Sequence, residues 1–244
     1  MSGVLALRDI EAGYGKSAVL NGVSLDVADG ELVAVLGPNG SGKSTVAKTV
    51  MGMTTLYSGS IEWDGRDIRS APTWRRARLG LGYVPQVENV LRGLSVTDNL
   101  LIGVQDLPRR ERDDRLAEVL ELFPELERRI RTLAGNLSGG ERRMLSLGAA
   151  LAQHPRLLLL DEPTSDLAPS AIDRVFEKIA AIRETLEIPI MMIEQTVAVA
   201  LEMADRVCIL VRGGVVLERA CSDITQDEVG KIFLEHTAAP SASG

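Results

Sequence analysis

Residues 31–50 read ELVAVLGPNGSGKSTVAKTV: an apolar run, a glycine-rich stretch and a helical pattern, in that order. The apolar run is short and uninterrupted, which is how a strand buried in a sheet reads. A chain that turns from such a strand into a helix within a few residues needs backbone conformations that glycine adopts freely. The spacing G-x-x-x-x-G-K-S, carried by Gly37, Gly42, Lys43 and Ser44, adds a chemical purpose. A loop of this kind curls so that successive N–H groups point inward at phosphate oxygens, and the helix that follows adds the positive end of its dipole. Lys43 is placed to reach the outer phosphates, and the Ser44 hydroxyl is suited to Mg2+. Pro38, Asn39, Gly40, Ser41 and Thr45 complete the candidate loop.

The rest of the chain alternates strands with helices. Short strands are expected at 4–10 and 23–27, and strand runs within GSIEWDG and GLGYVPQ. Buried strands are expected in RLLLLDEP and IPIMMIE, and a hairpin in RVCILVRGGVVLERA that turns at Gly213-Gly214. Helices are expected in STVAKTVMGM, over much of 95–135, in ERRMLSLGAALAQH, at 169–187 and near 225–235. This order predicts an α/β fold with a largely parallel core sheet and a helical sub-lobe at about 95–150. One domain over 4–235 is expected, followed by a frayed tail, 236–244. The 244 residues are 45% hydrophobic but only 3% aromatic, so the core must be built from Leu, Val, Ile, Ala and Met.

Charge and composition exclude several roles. A formal net charge of −7 argues against a nucleic-acid partner. The two cysteines, Cys208 and Cys221, lack metal-ligand spacing and suit a reducing compartment. The first residues show neither a basic region nor a long apolar core, so no secretory signal is expected. The longest uncharged apolar stretch, MLSLGAALAQ, falls well short of the ~20 residues that span a bilayer. Work at a membrane would require another anchor.

A phosphate loop needs a carboxylate to hold magnesium, and LLLLDEP at 157–163 supplies two acids. Four leucines make a strand buried on both faces, and Asp161 emerges at its C-terminal end, where α/β sheets place ligands. Asp161 is the expected magnesium partner. Glu162 is expected to point elsewhere, since strand neighbours alternate, and to polarise the attacking water. A second glycine pair lies in LSGGE, 137–141. Ser138 and Glu141 have the spacing of a capping box. That local role leaves two consecutive glycines unexplained, because glycine destabilises a helix and exposes its N–H groups. A second anion cradle is redundant for one phosphate group, so it reads as serving a nucleotide bound elsewhere.

GPNGSGKST, LSGGERRML and LLLLDEPTSDLAP, in this order, resemble the ATP-binding cassette of ABC transporters over about residues 4–235. The resemblance implies a P-loop cassette fold with an N-terminal antiparallel β subdomain, and an ATPase using ATP and Mg2+. It implies cassettes that pack head to tail, with Ser138, Gly139 and Gly140 touching the γ-phosphate held by the partner's loop. By the same resemblance Tyr14 stacks on adenine, and Gln86 touches magnesium and the water. SVTDNLLIG, 95–103, resembles the surface that receives a coupling helix of a membrane subunit. Two positions depart from the common pattern: Ala168 stands where many cassettes have aspartate, and Gln195 where most have a histidine that contacts the γ-phosphate. Gln195 is therefore the expected catalytic-site substitute.

The LAP, ELFPEL and EQ segments are similar to the ATPases of branched-chain amino acid importers, one of the two unlike ATPases such importers use. The implied partners are a second ABC ATPase subunit (a different chain or a second copy), two integral membrane permease subunits and, indirectly, a solute-binding protein. The implied location is the cytoplasmic face of the cell membrane. Importers of urea, amides or other small solutes share the pattern. A soluble ABC ATPase of the iron–sulfur assembly type and a lipid or lipopolysaccharide exporter ATPase are the alternatives.

Overall fold

The computed structural model describes residues 4–87 and 90–237. In chain order they begin with β1 (Leu5–Tyr14), β2 (Ser17–Val27), β3 (Leu32–Leu36), α1 (Lys43–Val50), β4 (Thr55–Trp63), β5 (Arg66–Asp67), α2 (Thr73–Arg78) and β6 (Leu81–Val84). There follow α3 (Val96–Leu101), α4 (Arg109–Leu122), α5 (Pro124–Glu127), α6 (Gly139–Leu151), β7 (Leu157–Asp161) and α7 (Pro169–Leu186). The chain closes with β8 (Ile190–Glu194), α8 (Val197–Met203), β9 (Arg206–Val211), β10 (Gly214–Ala220) and α9 (Gln226–Thr237). The residues fall into two compact units, Met1–Arg76 with Pro189–Gly244, and Ala77–Ile188. The expected tail lies, from residue 238 on, outside the described residues.

In the first unit, β3 pairs in parallel with β8 and with β9, and β10 adds antiparallel to β9. Every residue of β3 and β8 is buried, which is why both read as unbroken apolar runs. A separate antiparallel sheet has the order β2-β1-β4-β5. Its first two strands are much longer than the short segments expected at 4–10 and 23–27. The reason is visible in the register. It shifts between Leu7 and Ile10 and again between Ile10 and Ala12, and each irregularity breaks the alternation that marks a strand. β5, with two residues, and α2, with six, are too short for periodicity to register and were not anticipated. Arg206 at the start of β9 binds the Glu31 carboxylate at 2.8 and 3.0 Å, the Asp26 carbonyl at 2.6 Å and the Glu218 carboxylate. One guanidinium thereby ties the ends of β2, β9 and β10 and the entry to β3.

In the second unit, β6 and β7 are parallel, with Leu81 opposite Leu157 and Val84 opposite Leu160. The helices α3 to α6 occupy the stretch expected to be helical. They bury Leu100, Val119, Phe123, Leu126, Leu145 and Leu147. A Cβ on Gly148 of α6 would lie 2.9 Å from Val119 and 3.0 Å from Leu100, so this helix face needs its glycine for close packing. Both cysteines are free, and burial pushes the Cys208 thiol up to about 12, which leaves it unreactive.

The helix that follows the phosphate loop is closed at its far end by a buried guanidinium. Arg76 is 2% exposed. It donates to the carbonyls of Thr49 (2.9 Å) and Val50 (2.7 Å) in the last turn of α1, and to those of Ala71 (2.8 Å) and Arg69 (2.9 Å). A cation there satisfies carbonyls that the helix cannot and opposes the negative end of its dipole. Desolvation lowers its pKa from the ordinary arginine value, yet it stays charged. Arg76→Met should destabilise the protein by roughly 2–4 kcal/mol, since several buried carbonyls lose a charged donor. Thermal denaturation measures this, and Arg76→Lys should recover only part of the loss.

Candidate functional site

The phosphate loop lies between β3 and α1. Gly40 and Gly42 have φ of +77° and +102°, conformations that side chains resist. A Cβ on Gly37 would lie 2.1 Å from the Leu210 carbonyl of β9, so the loop can start there only as glycine. The Ser41 carbonyl accepts from the Gly213 N–H at 2.8 Å, which anchors the loop on the tip of the β9–β10 hairpin. Lys43 is 4% exposed, and its Nζ donates to the carbonyls of Gly37 (2.8 Å) and Pro38 (3.1 Å). The ammonium thus spans the loop it has to serve.

Two further observations test whether these residues fit a nucleotide phosphate. The Ser41 Oγ is buried in the loop with no hydrogen-bond partner. The N-terminus of α1 starts at Gly42, with no capping side chain and no acid in its first turn. α3 and α6, by contrast, each carry a full capping box with an acid, Asp98 and Glu141 respectively. The glycine loop thus leads into a helix whose positive dipole end carries no acid of its own, which suits an external anion. The residues fit.

Tyr14 ends β1 and is 47% exposed. The turn beyond it is held by Tyr57, whose hydroxyl donates to the carbonyls of Gly15 (3.1 Å) and Ser17 (3.3 Å). Gln195 follows β8 and is exposed, with its N–H donating to Glu194 Oε2 at 3.1 Å. Tyr14, Gly37 to Thr45 and Gln195 all belong to the first unit.

The second unit holds Gln86, Ser138, Gly139, Gly140, Asp161 and Glu162. Asp161 is the last residue of β7 and is 1% exposed, and the Tyr83 hydroxyl of β6 donates to its Oδ2 at 3.0 Å. Glu162 is 7% exposed and takes φ +46°, so this turn directs its side chain. Gln86 Nε2 donates to Glu162 Oε2 at 2.7 Å. The structure therefore brings the expected water-polarising acid and the expected glutamine into direct contact. Within the second unit, the Asp161 carboxylate and the Gln86 amide offer the hard oxygen atoms that Mg2+ prefers.

The capping box in LSGGE is real. Ser138 Oγ accepts from the Glu141 N–H (3.2 Å) and Glu141 Oε2 accepts from the Ser138 N–H (2.8 Å). The Ser138 N–H and hydroxyl, with Arg129, hold the Glu141 carboxyl below the usual carboxylate range. Its support for the helix start is complete at neutral pH and is lost as the pH falls through that lowered value. Part of the glycine requirement is packing: a Cβ on Gly140 would stand 3.0 Å from the Ala171 Cβ, and one on Gly139 would stand 3.3 Å from Leu167.

Three contacts were missed from sequence: Tyr57, Tyr83 and Arg143. Arg143 carried a readable signal. It shares the apolar face of α6 with Gly140, Met144 and Leu147, and a charge in that stripe must have partners. The tyrosines carried none beyond being two of only three in the chain.

An ABC transporter family profile matches residues 20–165. The chain is 38% identical, over 90% of its length and 93% of the relative's, to a probable branched-chain amino acid transport ATP-binding protein, LivF, of Archaeoglobus fulgidus. It is 35% identical, over 94% of its length and 96% of the relative's, to the lipopolysaccharide export system ATP-binding protein LptB of Escherichia coli. The structure superposes on the ADP conformation of MJ1267, an ATP-binding cassette of an ABC transporter, with a TM-score of 0.83. That match has 24% identity and covers 96% of both chains, so it speaks for the fold alone. Fold, glycine loop and relatives agree: the chain belongs to the ATP-binding subunits of ABC transporters. It is an α/β P-loop cassette that binds and hydrolyses ATP. Among the described residues, no helix is long and apolar enough to cross a membrane.

Lys43→Ala removes the cation that spans the loop. Affinity for a fluorescent ATP analogue should fall at least about tenfold, while Ser138→Arg should bind it like wild type, because Ser138 lies outside the loop.

Proposed function

We propose that this chain is the ATPase subunit of an importer for branched-chain or other hydrophobic amino acids. The observation that carries this reading is the 38% identity to the LivF-type relative across nearly both whole chains. In this reading residues 4–235 work as one ATPase domain, with a helical subdomain at about 95–150. Two cassettes close head to tail on ATP, this chain pairing with a different ATPase chain, and two permease subunits hold them at the cytoplasmic face of the membrane. A solute-binding protein delivers the amino acid from the other side.

The roles proposed for the site residues are those the family resemblance implies, and the loop around Lys43 and the contact of Gln86 with Glu162 support them. Gly37 to Thr45 cradle the phosphates, Lys43 offsets their charge and Tyr14 stacks on the base. Ser138, Gly139 and Gly140 serve the nucleotide of the partner subunit. Ser44, Asp161 and Gln86 hold Mg2+, which neutralises phosphate charge and orients the outer phosphate when bound. Glu162 accepts a hydrogen bond from the attacking water. The likeness to LptB supports a second reading, lipopolysaccharide export, that uses the same residues.

The deciding experiment co-expresses the chain with its membrane subunits, purifies the complex and measures ATP-dependent uptake of labelled leucine, urea and acetamide into vesicles. Leucine uptake supports the proposal. Uptake of urea alone, or lipopolysaccharide extraction without uptake, overturns the substrate assignment. Glu162→Gln should retain ATP binding but hydrolyse at least about a hundredfold more slowly, and should trap a nucleotide-bound dimer in size-exclusion chromatography. Gln195 carries no charge, whereas an imidazole there can be cationic near neutral pH and help offset phosphate charge. Gln195→His should therefore raise the turnover of the isolated chain several-fold, roughly the effect of one added charge-assisted contact. Equal rates would show that glutamine is a full replacement and would remove the need for an unlike partner.

A further inference from the structure

The Arg143 guanidinium has no part in the roles assigned above, yet it is 3% exposed in the unit that holds the carboxylates. It lies on the second turn of α6, the helix that Ser138 and its glycines open. Nη1 donates to the Pro85 carbonyl at 2.9 Å and Nη2 to the Gln86 carbonyl at 3.0 Å. These two carbonyls belong to the peptide planes on either side of the Gln86 Cα. Fixing both planes fixes φ and ψ of that residue, and with them the direction in which its side chain leaves the backbone. That side chain carries the amide that donates to Glu162 Oε2 at 2.7 Å. A planar fork suits this task, because it meets two acceptors at once in a fixed geometry; an ammonium is a point donor. A cation buried this deeply is also kept against a substantial desolvation cost, which a packing role alone would not require.

We infer that Arg143 is a positioning residue for hydrolysis. It sets the backbone of Gln86 so that the amide meets Glu162, and it acts from the same helix whose first turn carries Ser138. The inference rests on the proposed roles of Gln86 and Glu162. Its consequence is that any displacement of α6, the helix proposed to serve the partner's nucleotide, is passed to the acid of this chain's own site. The N-terminal end of α6 and the acid are connected by one side chain and one residue of backbone.

The test compares Arg143→Met, Arg143→Gln and Arg143→Lys with Gln86→Ala and with the double variant Arg143→Met/Gln86→Ala, all in the full chain. Phosphate release gives kcat, and titration with a fluorescent ATP analogue gives affinity. Arg143→Met should lower kcat about tenfold, the order of effect expected from a misplaced reacting group. Affinity should stay within about twofold of wild type, because the phosphate loop is untouched. Arg143→Lys should recover part of the rate, and Arg143→Met should add nothing in the Gln86→Ala background. If Arg143→Met does not fold, Arg143→Gln replaces it in the same cycle. A wild-type kcat in Arg143→Gln beside a slow Gln86→Ala overturns the inference alone. So does a loss of rate, affinity and melting temperature together that adds to the effect of Gln86→Ala. Wild-type rates in both Gln86→Ala and Glu162→Gln overturn the site assignment, and this inference with it.

Discussion

The bodies of β3, β7 and β8 are buried along their whole length, and this one constraint decides where chemistry can occur. A strand covered on both faces has no side chain to offer a polar ligand. Function is forced to the carboxyl ends, where the chain leaves the sheet. β3 ends against Gly37, β7 in Asp161 and β8 in Glu194. Each of these ends is polar or backbone-rich directly after the last buried aliphatic residue. The apolar runs do more than fill a core: they act as rigid mounts that fix the origin of each functional loop.

The helices divide the labour by how their first turns are satisfied. α3 and α6 use their own side chains, through capping boxes built on Ser95 and Ser138. α1 uses none and begins at a glycine in the left-handed region. A helix start without its own cap is unstable unless something else pays for it. At the far end of α1, Arg76 satisfies the last carbonyls. The helix is therefore stabilised from its C-terminus, which allows its N-terminus to remain open for phosphate. This is a physical reason for burying an arginine far from the site.

The parts of this protein legible in its sequence were those with local causes. The glycine loop, the leucine strand ending in Asp161 and the capping spacing of Ser138 and Glu141 each follow from residue types a few positions apart. Alternation predicts only short segments of the long β1–β2 hairpin, because bulges interrupt it. The supporting contacts were hidden for a different reason. Tyr83 meets Asp161 across 78 positions of chain, and Arg143 meets Pro85 across 58. Only the folded chain fixes such pairings. Arg143 could have been flagged, since a charge in an apolar helical stripe violates the pattern around it, but its partner could not have been named.

Glu162 is where local rules fail most clearly, and the failure is informative. It has a left-handed backbone without being glycine, and it immediately precedes Pro163, a position where sterics favour extended conformations. Strain of this kind costs on the order of 1–3 kcal/mol and persists only where the surroundings impose it. The imposition is visible. The preceding residue is fixed in a fully buried strand, the Ser165 N–H closes a turn on the Glu162 carbonyl at 3.2 Å, and the Gln86 amide holds the carboxylate at 2.7 Å. Had the strand continued, its alternation would have turned the acid to the opposite face of the sheet. The left-handed turn instead brings it to Gln86. The same hydrogen bond that places the acid also occupies one of its oxygens, Oε2. An acid held this way is oriented before nucleotide arrives, and the strain in its backbone is the cost of that orientation.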